Sequence, residues 1–351
     1  MIPIEDVRFR EVTRPLRTPF STSLGRKELL RSVIVSVGLA SGASGAGEVP
    51  TSIAFKAEDL SVIRKVLAEA RDAIRGTSIE GYGELVDRLR AAHPSAFMTI
   101  SGLEVALFRA FLASRSIRES SYWGERCSHI ETDITIPFLP DEQSLSRWVD
   151  WTISRGFKAY KLKVSGEVEQ DMAILSYVHR VLEARVPKFR LRLDGNQGYT
   201  TATFRAMVRS IEKSAMAIEF FEQPLPKDDL RGYEKIREYG SIPVILDETI
   251  LSLSDARTAI ENNLCDGMNI KIAKSGLAES MKIAALARKH KKKLMIGSMI
   301  ETMTGLSAAI FLAAGTGDFD YIDLDGAHFL YGRNIYPDIT VQGPVFTVTR
   351  G

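Results

Sequence analysis

Two cysteines in 351 residues are too few for a disulfide framework, and Cys127 and Cys265 lack the close spacing of a thiolate metal site. A buried free thiol is expected for each, and with it a reduced, cytoplasmic setting. Charge of one sign is also missing. Lys+Arg 46 against Asp+Glu 44 leaves a formal +2, so nothing global steers the chain toward nucleic acid or an anionic membrane. The basic cluster Arg288 to Lys293 reads as a solvated helix end, where cations are favoured. The apolar patches are broken by charges or glycine, so no run of membrane-spanning length is expected. The start, "MIPIEDVRFREV", lacks a basic-then-apolar leader and begins like a strand. Five scattered histidines (His93, His129, His179, His290, His328) offer no dyad, and His328 is expected at the surface.

What is present is enough apolar residue, 45%, for a large core, read as one large domain and a smaller one. Residues 1 to about 50 alternate like a meander of strands, with "VRFREV" and "SVIVSVGLA" before the turn-rich "SGASGAGE". Ala57 to Arg115 carries helical spacing, which makes 1–125 an α+β module. Over 126–325 the texture changes to eight short apolar strands separated by amphipathic stretches. They are "TDITIPF", "AYKLKV", "RLRLDGN", "IEFFEQP", "PVILDE", "GMNIKIA", "KLMIGSM" and "YIDLDG". The count predicts a modified (β/α)8 TIM-type barrel of the α/β class, with a shortened last helix and a tail, 326–351, returning to the first module.

Chemistry gathers at the strand ends. Asp194, Glu222, Asp247 and Lys271 follow one another at intervals of roughly 25 residues, one strand-plus-helix unit, so their side chains should meet at one face of the barrel. A single acid at a strand end commonly caps the next helix. Three in successive register, each followed by polar or turn residues, fit an oxygen-only site for a hard cation, with Mg2+ the natural candidate. Lys161 and Lys163, two apart, share a face of their strand. Either could be an ordinary solvated lysine. With Lys271 across the barrel from Lys163, however, opposed amines could take a proton from one face of a carbon and return it on the other. A protonated lysine is no base. A like charge about 6 Å away at an effective dielectric near 20 disfavours the ammonium by about 3 kcal/mol, and Lys161 beside Lys163 is expected to supply that push. Asp323 and Asp325, i and i+2 on the last strand, point one way and could neutralise a substrate ammonium.

With these residues the sequence resembles the enolase superfamily, muconate-lactonizing subgroup, and within it the dipeptide epimerases. Lysine bases working beside Mg2+ are a known pattern of that superfamily. The resemblance runs from "RTPFSTS" and "GAGEVP" through "KLKV", "RLDGNQGY", "FFEQPLP", "LDET" and "NIKIAKSG" to "GSMIET" and "DLDG". It implies that 1–125 caps the barrel mouth and that Asp194, Glu222 and Asp247 bind one Mg2+. Lys163 and Lys271 become the acid/base pair, with Lys161 the first lysine of the Lys-x-Lys motif. Asp323 and Asp325 hold the substrate's α-ammonium, while Thr135, Ser298 and Met299 line its pocket.

The implied reaction is epimerisation of an L-Ala-L-Xaa dipeptide at its C-terminal α-carbon, by proton transfer through an enediolate. The partner is then a small-molecule dipeptide, and the family habit of symmetric assembly points to a homo-oligomer. One departure concerns selectivity. Glu-specific members carry an arginine in the loop after "PF", where the simplest alignment puts Gly25, with Arg26 and Lys27 just beyond. Related alternatives are cycloisomerisation, o-succinylbenzoate synthesis and N-acylamino acid racemisation, whose substrates have no free ammonium for Asp323 and Asp325. A non-catalytic carboxylate-binding protein is the remaining alternative, and it leaves the lysines without a role.

Overall fold

The computed structural model describes residues 1–139, 141–332 and 335–350. Three antiparallel strands open the chain in the order β1 (Ile4–Thr22), β2 (Gly25–Leu39) and β3 (Ser44–Pro50). Helices α1 (Leu60–Ile74), α2 (Tyr82–Ala92) and α3 (Phe97–Ser114) pack on this sheet, followed by the short α4 (Glu119–Trp123). The glycines of "GAGEVP" allow that packing. A Cβ on Gly45 would meet Ala110 N at 2.2 Å, and one on Gly47 would meet Gly102 O at 2.1 Å, so α3 lies backbone to backbone on β3. Helix α3 is long and apolar enough, at mean hydropathy 1.4, to resemble a membrane span, contrary to the expectation that no run reached that length. It is the core helix of this module, and its charged residues Glu104 and Arg109 are buried and paired.

After β4 (His129–Glu131) come eight parallel strands, each but the last followed by a helix. In order they are β5 (Ile134–Ile136), α5 (Glu142–Ser154), β6 (Ala159–Lys163), α6 (Val168–Arg185), β7 (Arg190–Asp194) and α7 (Thr201–Ser214). Then come β8 (Phe221–Glu222), α8 (Leu230–Ile236), β9 (Val244–Leu246), α9 (Leu253–Glu261) and β10 (Gly267–Lys271). The single turn α10 (Ile272–Ser275) precedes α11 (Leu277–Lys289), β11 (Lys293–Gly297), α12 (Met303–Thr316) and β12 (Tyr321–Asp323). The first and last strands are linked where Asp133 N donates to Ile322 O at 3.2 Å. After β12 the chain makes only a 3-10 turn, Gly326–Phe329. In the tail, β13 (Ile339–Gln342) pairs with β14 (Val345–Val348) and β14 with β4, and the tail meets the first module where Leu330 bridges Leu16.

Three contacts seat the first module on the barrel mouth. Ser23, at the tip of the β1–β2 hairpin, donates to Gly195 O and Asn196 O at 3.1 and 2.6 Å. Glu48 of β3 accepts from Thr302 N and Gly305 N at the start of α12, at 3.1 and 3.0 Å, where a carboxylate is favoured. Arg109 of α3 binds Glu119 (2.7 Å), Ala46 O (2.9 Å) and, in the barrel, Thr304 O (2.8 Å) and Ser307 Oγ (2.7 Å). Arg109→Leu leaves Glu119 buried without its cation. The expected loss is about 3–5 kcal/mol of stability, read as a lower urea midpoint.

Candidate active site

A cavity opens where the cap meets the C-terminal ends of the barrel strands. Its walls bring together Lys161, Lys163, Asp247, Lys271, Asp323, Asp325, Thr135, Ser298 and Met299, residues spread over more than half the chain. Asp194 and Glu222 lie directly beneath, fully buried. Neither Gly25 nor Arg26 lines it. Arg26 turns outward and pairs with Glu28 at 2.7 Å, while the cap offers Phe20, Leu24, Lys27 and the segment Thr51–Phe55.

The parallel register sets the floor. Asp194 pairs with Glu222 across β7 and β8, and Glu222 with Ile245 across β8 and β9, so the three acids end neighbouring strands. Each strand end is then locked. Asn196, Gln197 and Gln223 take left-handed backbone (φ 39°, 70° and 36°), uncommon for residues other than glycine and frequent at functional sites. Asn196 N donates to Asp194 Oδ1 at 2.9 Å, and Gln223 Oε1 accepts from Asp247 N at 2.8 Å. Asn269 Nδ2 donates to Glu222 Oε1 at 2.7 Å, leaving Oε2 without a hydrogen bond although Lys161 Nζ is 3.1 Å away. Three carboxylates with oxygen the only donor atom, one of them under-satisfied, suit a hard cation such as magnesium.

The lysines are held by these acids. Lys163 Nζ lies 2.5 Å from Asp194 Oδ2 and 5.4 Å from the Phe20 ring centroid. Lys271 Nζ lies 2.6 Å from Asp247 Oδ2, and Lys274 Nζ 2.6 Å from Oδ1 of the same carboxylate. Lys161 bonds to Asp323. The expected repulsion between Lys161 and Lys163 is therefore not the dominant effect on Lys161. Burial pushes its ammonium down, but Asp323 and Glu222 outweigh burial and hold it well above the ordinary lysine range. Lys271 is raised in the same way by Asp247 and Glu222 against burial. Burial pushes Asp247 up, yet Lys271 and Lys274 win and hold it well below the carboxylate range. Glu222 is pushed up by burial and by Asp194.

At the β12 end, Asp325 accepts from Thr135 N at 2.6 Å, and Ser298 Oγ is buried without a partner. Burial pushes Asp323 up to about 6 despite Lys161. A third acid joins them from outside the expected set. Among the described residues, the one group of three carboxylates with oxygens all within 4.8 Å of one another is Asp133, Asp323 and Asp325, not Asp194, Glu222 and Asp247. Cations stand against both sets, Asp133 being tied to Arg192 at 2.6 Å and Asp323 to Lys161, and Asp194 and Asp247 to Lys163 and Lys271. What sets the strand-end acids apart is that they end three neighbouring strands and share one floor under the cavity. Arg192 closes the barrel interior below, its guanidinium 5.3 Å from the Phe220 ring centroid and 5.1 Å from that of Tyr321.

Other expectations resolve plainly. His328 is buried rather than at the surface, packed on Phe157 and Phe346, and burial pushes it down to about 4. Cys265 is fully buried, Cys127 partly exposed, and both are free. The cap wall falls where the sequence placed it, within residues 18 to 28 and the segment after Glu48, but sequence reasoning did not single out Asp133, Asn269 or Lys274. Asp133 and Asn269 sit inside the quoted strand motifs "TDITIPF" and "GMNIKIA", and that was the available signal.

A family model described as enolase C-terminal domain-like matches residues 144–350. An aromatic dipeptide epimerase from Herpetosiphon aurantiacus is 30% identical over 328 residues, 93% of this chain and 91% of that protein. Among solved structures, the substrate-liganded L-Ala-D/L-Glu epimerase from Bacillus subtilis has a TM-score of 0.91 at 26% identity, covering 99% of this chain and 96% of that one. A dipeptide epimerase from Methylococcus capsulatus, complexed with Mg and L-Arg-D-Lys, has a TM-score of 0.86 at 26% identity over 99% and 97% of the two chains.

Proposed function

This chain belongs to the enolase superfamily, and from that premise we propose that it is a magnesium-dependent dipeptide epimerase, inverting the C-terminal α-carbon of L-Ala-L-Xaa dipeptides. One observation carries the reading. Lys163 on β6 and Lys271 on β10, four strands apart around the barrel, enter one cavity from opposite sides, and Asp323 and Asp325 stand in its wall.

Each group then has a task that its position supports. Asp323 and Asp325 take the substrate's α-ammonium, which fixes the dipeptide's amino end at β12. Its carboxylate turns toward the floor, where Asp194, Glu222 and Asp247 are the residues that would hold magnesium. Bound there, magnesium supplies stabilisation of the negative charge that builds up as the α-proton leaves. Lys161, beside Asp323 and Glu222, donates toward the same developing charge. One of Lys163 and Lys271 removes the proton and the other returns one on the opposite face, with both amines fixed before substrate arrives. The hairpin tip and Thr51–Phe55 cover the cavity and exclude water. The cytoplasmic location suggested by two unpaired cysteines is part of the same proposal.

The test is a panel of L-Ala-L-Xaa dipeptides incubated with the magnesium-loaded protein and separated by diastereomer. The L,D form is expected to accumulate toward equal amounts for at least one member, and to stop accumulating in EDTA. A panel that stays entirely L,L would defeat the reading.

A further inference from the structure

We propose that the cavity between capping strand β1, helix α5 and the C-terminal tail binds a tetrahedral oxyanion, phosphate or a phosphate monoester. It is separate from the catalytic cavity, and no residue lines both. Arg17 of β1, Trp151 and Arg155 of α5 and His328 of the 3-10 turn form its wall, with Val341 and Gly343 on the tail side.

Charge here is of one sign and unpaired. Arg17 is half-buried, its guanidinium 4.9 Å from the Tyr331 ring centroid and 5.6 Å from that of Trp151. Arg155 stands against Trp151 at 5.5 Å. The rings hold both guanidiniums without using up their N–H groups. Among the described residues neither side chain has a carboxylate or a hydrogen-bond acceptor, unlike Arg109 and Arg192, which are tied to Glu119 and Asp133. Burial, Arg155 and Arg14 push Arg17 down, and Tyr331 alone acts the other way. Such a field favours an anion.

His328 is a second, independent observation. It is buried in the same wall, yet its Nε2 has no hydrogen-bond partner among the described residues. Leaving such a nitrogen unmatched is unfavourable. Burial, Arg17 and Arg155 push the ring down to about 4, so at neutral pH it is uncharged, with one N–H to give and one nitrogen to accept. Hydrogen phosphate answers either tautomer, since it carries both anionic oxygens and a P–OH. Its other oxygens suit two guanidinium forks. A carboxylate would occupy one fork and has no hydroxyl for the imidazole. The C-terminus of α5 opposes an anion, but only over its last turn, and there Trp151 O and Thr152 O already accept from Arg155 N at 3.2 Å.

The test titrates inorganic phosphate, glycerol 3-phosphate, acetate and chloride into the magnesium-loaded protein at constant ionic strength, then repeats the series in EDTA. Calorimetry gives Kd, and tryptophan emission reports occupancy because Trp151 touches both arginines. Saturable phosphate binding is expected with or without magnesium, about 10-fold or more tighter than acetate or chloride. Arg17→Met and Arg155→Met should each weaken it by about 10-fold or more, and His328→Phe by about 3-fold. Arg209→Met, exposed on α7, should change nothing. Arg155 is exposed too, which keeps its variant informative should Arg17→Met fail to fold. A monoester that binds tighter than free phosphate identifies a phosphorylated metabolite as the source, and the reverse order identifies phosphate itself. Phosphate no tighter than chloride, binding lost in EDTA, or equal weakening by Arg209→Met would each overturn the site. So would absent phosphate binding with a lower sedimentation mass for Arg155→Met, since the arginines would then join two copies of the chain. None of these readouts depends on dipeptide turnover.

Discussion

Replacing Lys163 or Lys271 by Met is expected to lower epimerisation by about 10²–10⁴-fold, the usual contribution of a positioned acid or base. The two variants should fail differently. With Lys271 gone, Lys163 still faces one side of the α-carbon, so one epimer retains slow solvent exchange and the other loses it. With Lys163 gone, the pattern should swap. The lysines reach the cavity from strands on opposite sides of the barrel and have separate carboxylate partners, so removing one leaves the other anchored. Losing Lys163 leaves the buried Asp194 with only Lys161, at 4.0 Å, whereas losing Lys271 leaves Asp247 still paired with Lys274. Circular dichroism and the unfolding midpoint must therefore show folded protein before rates are compared. Chiral separation of each dipeptide after incubation in D2O, with mass analysis of both epimers, reads the split. Loss of exchange for both epimers in both folded variants would contradict separate roles.

Asp325→Asn should raise KM for dipeptides by about 30-fold or more, as expected when one partner of a buried charge pair is removed, with a smaller effect on kcat. Asp323→Asn should depress kcat as well. The two carboxylates are two residues apart, yet they are bound differently. Asp325 accepts from the Thr135 backbone, whereas Asp323 is bonded to Lys161, which reaches down to Glu222 at 3.1 Å. Losing Asp325 therefore removes ammonium binding. Losing Asp323 also releases Lys161 from the position in which it faces the developing charge. The Asn pair should lower dipeptide turnover far more than any racemisation of an N-acylamino acid, a substrate with no ammonium to hold, which loses only the placement of Lys161. Steady-state kinetics on both substrate types check this, and equal losses on both would show that the pair is structural.

Most of this architecture could be read from the chain because its chemistry falls where its periodicity changes. The acids at 194, 222 and 247 and the lysine at 271 each end a short apolar run, and parallel strands deliver such ends to one face. What could not be read depended on partners far away in sequence. The Lys-x-Lys spacing suggested two repelling ammonium groups. The carboxylate that neutralises the first of them lies 162 positions on, at the opposite end of the barrel sheet. Likewise His328 looked like a surface residue until Phe157 and Phe346 closed over it.

The cap shows the same limit in another form. Strand alternation places Arg26 and Lys27 on opposite faces, but only the structure shows that Lys27 lines the cavity and Arg26 turns away to Glu28. The sequence did not reveal that the hairpin continues to Thr22 and Gly25, because the register shifts between Pro15 and Phe20. Alternation read from "SVIVSVGLA" therefore could not be carried back to its tip.

The central claim is that one α-carbon sits between two fixed amines, and its most direct test is a single turnover of a reactive L,L dipeptide by the magnesium-loaded protein in D2O. The L,D product of that first turnover should carry one deuterium at the α-carbon, while unreacted L,L dipeptide recovered at the same moment remains largely protiated. An L,D product that keeps its original hydrogen would mean that one base hands the same proton across, and the two-lysine account would fail.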